Sequence, residues 1–434
     1  MPDPVATRES LPRQLTVLGI WGLAINGTVG AGVFGIPALA AAETGGYSPL
    51  VFLLCGLLMA PIALCFAEVA SGFHGTGGAV LYTQTAFGSL VGFQTGWAFY
   101  VARLSASAAN LNLIVASFDW FWPAADEGAT RAGLLALLCG LLTWVNLVGA
   151  GPAMRAVGVL TLLKFLPLGL LILAGFARLD PAALAVSTPL PSAAQLGNAV
   201  MLSLYAFVGW ESALIPAGET RDPARDMPRG LLWALGTATL LYVLVQVVSV
   251  ATLPRLAATA ERPLVAVGAA LMGSAGAALL TFGVVASVGG NVASAAMSTP
   301  RITYAMGRTR LLPRLFGTVH ATYRTPAFSI LLYGALVLVL AVSGSFVEFV
   351  RISVLTRLLI YLAVVAAAPR LRRRPADGPG RLSLPGGPAV PLVAGMVCVA
   401  LLLQVDGPTL LRTGAYLAVG SVLYVLARRS ARRA

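Results

Sequence analysis

Charge is what this sequence has least of. Charged residues make up 10% of the 434-residue chain, against about 25% in an ordinary soluble protein. Hydrophobic residues make up 58%, and the mean hydropathy is +0.86. Water cannot solvate such a surface, but lipid can. Lysine is almost absent: Lys164 is the one lysine among 29 basic residues. There are 4 cysteines, and Cys55, Cys65, Cys139 and Cys398 all lie within apolar runs. That placement speaks against a disulfide framework or a zinc site and reads as small buried hydrophobes. The 2 histidines, His74 and His320, both sit beside the ends of apolar runs. Haem or zinc membrane enzymes need intramembrane His ligands. No cofactor, no metal and no catalytic residue is therefore expected, and the chain does not read as an enzyme. The net charge of +13 does not point to nucleic acid. Its arginines sit between apolar runs, not in a basic stripe with interleaved aromatics.

Apolar sequence in long runs is what the chain has instead. Twelve runs are read, at 17–42, 47–71, 91–118, 132–147, 157–176, 196–216, 231–252, 272–299, 327–342, 346–368, 390–403 and 410–426. At about 20 residues per span, they predict an all-α integral membrane protein of twelve transmembrane helices. The stretch before the first run is polar, and that run is too long for the core of a signal peptide, so no cleavable leader is read. Arginine placement predicts the orientation. With the N-terminus inside, the inside segments hold 20 arginines. The outside segments hold 5: Arg131, Arg178, Arg255, Arg262 and Arg412. The expectation is a multi-pass protein of a bacterial-type inner membrane with both termini cytoplasmic.

Two runs do not read as plain helices. The first contains Gly27-Thr28-Val29-Gly30-Ala31-Gly32-Val33-Phe34-Gly35-Ile36-Pro37. Four glycines and a proline make a poor helix interior, and unwound backbone in a membrane must line a cavity or be buried in protein. The sixth contains Tyr205-Ala206-Phe207-Val208-Gly209-Trp210-Glu211-Ser212, with Pro216 one turn on. Runs one and six correspond if the chain is two inverted five-helix repeats followed by two extra helices. Interrupted spans at matching positions mark the substrate site of secondary transporters. Free N–H groups at a half-helix start suit a carboxylate, and free carbonyls suit an ammonium, so the two breaks read as a clamp for an α-amino acid. The competing reading is close helix packing through Gly27, Ala31 and Gly35.

At these residues the sequence resembles the amino acid–polyamine–organocation transporter superfamily. Gly30 to Pro37 is similar to that family's broken first helix. Tyr205 to Ser212, followed by Gly218-Glu219-Thr220-Arg221-Asp222-Pro223 and Met227-Pro228-Arg229, is similar to its sixth helix and the loop after it. Gly77-Gly78 and the stretch Pro300 to Arg308 fit as well. The resemblance implies a LeuT-like 5+5 inverted repeat with broken helices 1 and 6. The transporter core would span 17–368, with repeats at about 17–176 and 196–368. Around it lie an N-terminal segment 1–16, a cytoplasmic loop 369–389, and two extra helices with a basic tail at 390–434. It implies carboxylate binding near Thr28, Gly30, Ala31 and Gly32, and amine binding near Phe207, Val208, Gly209 and Glu211. An aromatic at Tyr205 or Phe207 would close over the substrate. Tyr205 and Asn291 stand where arginine–agmatine antiporters would carry tryptophans, which tilts the expectation towards a neutral amino acid.

Ionisable groups inside spans are functional candidates. Lys164 lies in the fifth run. The resemblance implies that its ammonium, or the proton it carries, replaces a sodium ion, with Ser287 as an oxygen neighbour. Transport would then be sodium-independent, with proton coupling or exchange. Glu211 reads either as a gate or proton carrier, or as a carboxylate capping free N–H groups. Arg103 and Arg357 read as pathway residues or as partners of acids. The alternatives are a polyamine or cationic amino acid antiporter, and a non-transporting receptor or scaffold. The expected partners are an amino acid, protons and lipid, with no nucleic acid, in a monomer or homodimer.

Overall fold

A computed structural model describes residues 15–73, 77–148, 163–180, 189–214, 220–253, 255–259, 261–373, 382–384 and 386–433. The N-terminal tail, His74, Arg155, the start of the fifth run, Pro216, Gly218, Glu219 and residues 374–381 of the expected loop at 369–389 lie outside the described residues. Among the described residues the regular secondary structure is helical, with one isolated bridge between Leu15 and Thr220. The first run holds two helices, α1 (Val17–Thr28) and α2 (Ala31–Thr44). Next come α3 (Ser48–Ser71), α4 (Gly78–Phe87), α5 (Ser89–Phe118), α6 (Gly128–Val148) and α7 (Phe165–Ala177). The sixth run holds α8 (Ala193–Ser203) and two 3-10 turns, Leu204–Phe207 and Trp210–Leu214. The rest are α9 (Pro223–Thr252), α10 (Pro263–Arg308), α11 (Ala327–Ser343), α12 (Phe346–Arg372), α13 (Ala389–Leu402) and α14 (Gly407–Arg433).

Seven helical stretches among the described residues are long and apolar enough to cross a membrane, and five shorter apolar helices accompany them. Two features go beyond the run pattern. The Gly77-Gly78 pair opens α4, a short helix set off from α5 by Gly88 at φ +91°. The eighth run is preceded by a helical segment at 263–272, which turns into the span at Gly273, where φ is +65°. Glycine tolerates that left-handed backbone without a steric penalty.

Burial sorts the helices into a core and a rim. The apolar windows of α5 and α12 are 83% and 72% buried, whereas those of α6 and α14 are 17% buried. Leu137, Leu141 and Trp144 on α6 all point outward. Lipid covers such a face, so burying it against protein gains little. Helix association then depends on close approach and on polar contacts. Gly56 of α3 faces Thr239 of α9, and Gly175 of α7 faces Val248 of α9, each with no room for a methyl group. The two last helices seat on the core: the Trp97 indole N–H of α5 donates to Tyr416 O of α14 at 2.8 Å.

Candidate substrate site

The break in the first run spans two residues. Val29 is extended (φ −77°, ψ 96°) and ends α1, and Gly30 precedes α2 without any side-chain cap. The last carbonyls of α1 and the first N–H groups of α2 are thereby released from intrahelical bonding. In the sixth run the chain unwinds at Val208 and Gly209, with Gly209 at φ +110°. The two breaks touch backbone to backbone. A methyl group on Gly27 would overlap the Gly209 carbonyl, and one on Gly209 would overlap the Gly27 carbonyl. α1 packs on the Trp210–Leu214 turn, and α2 packs on α8. The Tyr242 hydroxyl of α9 sits between them, 3.1 Å from Thr28 O and 2.9 Å from Ala206 O, and donates to one of the two at a time.

Beside this crossing lies a cavity of about 200 Å³, which at liquid density corresponds to roughly seven waters. Of the residues expected to meet substrate, Thr28, Gly30, Ala31, Gly32, Tyr205, Val208, Gly209 and Asn291 line it. Phe207 and Glu211 do not. The Phe207 ring is fully buried among Phe52 and Tyr242. Glu211 lies behind the wall, where Oε2 accepts from Gly209 N–H at 2.8 Å and from the Tyr361 hydroxyl at 3.1 Å. Its Oε1 accepts from Arg357 Nε at 3.0 Å, in an ion pair whose side chains are each 5% exposed. In this arrangement the carboxylate caps an unwound N–H group and neutralises Arg357 at once. Arg357 also donates to Ser353 Oγ.

Lys164 Nζ donates to three oxygens of the first break: Asn26 O at 3.0 Å, Asn26 Oδ1 at 2.9 Å and Val29 O at 2.9 Å. The Ser287 hydroxyl of α10 donates to the same Val29 carbonyl at 3.5 Å. A cation at the carbonyl end of a helix is favourably placed. Here the end in question exists only because α1 stops mid-span.

Across the cavity, Tyr205 OH donates to Asn110 Oδ1 at 2.7 Å, and Asn110 Nδ2 donates to Asn291 Oδ1 at 3.3 Å. The three residues come from the sixth run, α5 and α10. The Tyr205 ring meets Phe346 edge-on, with centroids 6.0 Å apart, and Gly35 of α2 packs directly under Phe346. Sequence reasoning missed Asn26, Ser107, Asn110, Tyr242 and Phe346. Ser107 and Asn110 carried a signal, because polar residues three apart on an apolar span share a face.

The amino acid permease family matches this chain over residues 15–424. The chain belongs to that family. It is a multi-pass membrane transporter and not an enzyme. It is similar to a methylthioribose transporter of Bacillus subtilis, at 26% identity over 97% of this chain and 94% of that protein. It is also similar to a branched-chain amino acid permease of the same organism, at 25% identity over 97% and 94% of the two chains. A serine/threonine exchanger from that organism is 25% identical over 89% of each chain. The broken first and sixth runs, the cavity and Lys164 of the transporter all lie inside the matched region.

Proposed function

We propose that this transporter moves amino acids across the inner membrane by alternating access. In this reading it has twelve spans, arranged as two inverted repeats with breaks in spans one and six. The observation that carries the proposal is the contact of the two breaks beside a cavity lined by Gly30, Ala31, Gly32 and Asn291. The uncapped start of α2 offers N–H groups to the substrate carboxylate, while the Val208 carbonyl meets the ammonium; the Gly209 carbonyl already accepts from the Ser212 N–H and hydroxyl. The names of the relatives, which include a branched-chain permease and a serine/threonine exchanger, support an amino acid over a polyamine. So does the cavity wall, which contains Arg103 and Arg357 and no carboxylate residue among the described residues. A cationic substrate would meet repulsion there.

Lys164 supports sodium independence. Its ammonium holds three oxygens of the first break. A sodium ion at that spot would meet an adjacent positive charge in a low dielectric. The aromatic contact between Tyr205 and Phe346 closes one face of the cavity.

Uptake by the purified full-length protein in proteoliposomes tests the reading. Labelled neutral, acidic and basic amino acids are offered with and without a pH gradient, and with sodium or choline outside. Uptake of an α-amino acid that is equal in sodium and choline is the expected result. Absence of any amino acid flux in an oriented, folded preparation would overturn it.

A further inference from the structure

Two guanidinium groups reach the cavity, and their surroundings differ. Arg357 is paired with Glu211. Arg103, on α5, has no hydrogen bond or ion pair among the described residues. Its Nε is buried without a hydrogen-bond partner, and the Phe99 ring lies 5.2 Å from the guanidinium carbon. Among the described residues the cavity wall holds no carboxylate to balance it. A guanidinium is always charged and carries five donors in a planar fork suited to a carboxylate. Removing it from water without an anion is costly. The nearest carboxylate, Glu211 behind the wall, is already bonded to Arg357 and acts on Arg103 only at a distance, so one negative charge serves two guanidinium groups and a positive charge is left over at the cavity.

We propose that the substrate balances it: Arg103 forms a subsite for a second anionic group, and the preferred substrates are α-amino acids with an acidic side chain. The proposal rests on the amino acid reading of the cavity and narrows it away from the neutral preference expected from sequence. The α-carboxylate sits at the uncapped start of α2 beside Asn291, whose amide lies against Gly30. Arg103 and Asn110 both line the cavity from α5, and seven residues on a helix rise about 10 Å. A ligand that uses both ends needs well-separated carboxylates, which favours glutamate over aspartate. Ser107, between them on the same face, lines the cavity with its hydroxyl paired to the Tyr333 hydroxyl at 2.7 Å. Fully neutral substrates leave Arg103 unbalanced. Basic substrates add a second positive charge near it.

The test uses the full-length protein in proteoliposomes with labelled L-glutamate, L-glutamine, L-aspartate, L-leucine and L-lysine. Glutamate is expected to be preferred over its neutral isostere glutamine by at least tenfold, with lysine excluded. Arg103→Gln is expected to lower the glutamate-to-glutamine ratio at least tenfold, and Arg103→Lys to restore part of it. Transport of leucine or glutamine without glutamate would overturn this subsite while leaving the amino acid reading intact. Transport of no amino acid would remove that reading as well. An Arg103→Gln variant that lowers all fluxes equally would make Arg103 structural and sink the proposal. Should the variants fail to fold, thermal stability of the wild type in detergent decides. Stabilisation by glutamate but not by glutamine supports the subsite. Equal stabilisation by both, or stabilisation by chloride alone, overturns it.

Discussion

Lys164 and Arg357 are both buried cations, 2% and 4% exposed, and each is held by one of the two helix breaks. They are held by different means. Lys164 meets three neutral oxygens at the carbonyl end of α1. Arg357 meets a full negative charge, Glu211, anchored on the N–H of Gly209 in the other break. The first break thus uses the negative pole of a truncated helix, and the second uses a carboxylate fixed by unwound backbone. A site built of dipoles tolerates exchange of one cation for another or for none. A site built of an opposed charge does not, because removing one partner strands the other in a low dielectric.

The largest effect is expected where a charge is stranded. Glu211→Ala leaves Arg357 buried and unpaired, which costs about 3–5 kcal/mol. Thermal unfolding of the detergent-solubilised protein should record the loss. The double variant Glu211→Ala/Arg357→Ala should recover most of it; strictly additive losses would show that the pair is not coupled.

Lys164→Ala removes a cation but strands only carbonyl and amide oxygens, at about 1–3 kcal/mol. Transport should nevertheless fall to background, because the tie between α7 and the end of α1 is cut. In this variant alone, sodium should raise the melting temperature by occupying the vacated oxygens. A sodium effect of equal size in the wild type would contradict the dipole-held site.

Gly32 tests the seam between the breaks. Its Cα faces the Ala206 backbone with no space for a methyl group. Gly32→Ala should therefore destabilise by overpacking, at about 1–3 kcal/mol, and not merely obstruct a bound carboxylate. A variant of wild-type stability with lost transport would assign the glycine to substrate approach alone.

The smallest effect belongs to Tyr242, whose hydroxyl serves either break. Tyr242→Phe removes one neutral hydrogen bond, worth about 0.5–1.5 kcal/mol. Single-turnover exchange should change more than stability if that bond moves between Thr28 O and Ala206 O during the cycle.

Composition and residue order alone were enough to locate the helices and the places where they are interrupted. Long apolar runs force helix, because lipid satisfies no backbone group. The glycines from Gly27 to Gly32 and at Gly209 mark where helix is weakest, and the breaks fall within those stretches, at Val29–Gly30 and Val208–Gly209; the lone lysine of the fifth run stood out as a charge inside a span. Those are local consequences of composition and were legible. Which groups meet was settled by helix packing. Phe207 and Tyr205 lie two residues apart, yet one packs into an aromatic cluster with Phe52 and Tyr242 and the other lines the cavity. Irregular backbone has no fixed side-chain period, so no pattern could assign them. Glu211 and Arg357 are 146 residues apart, and Lys164 and Val29 are 135 apart. Arg103 and Arg357 read alike in sequence, as intramembrane arginines on apolar spans. Helix packing brought both to the cavity but only Arg357 against a carboxylate, because partnership over such separations is set by which helix faces meet and not by the residues that flank each charge.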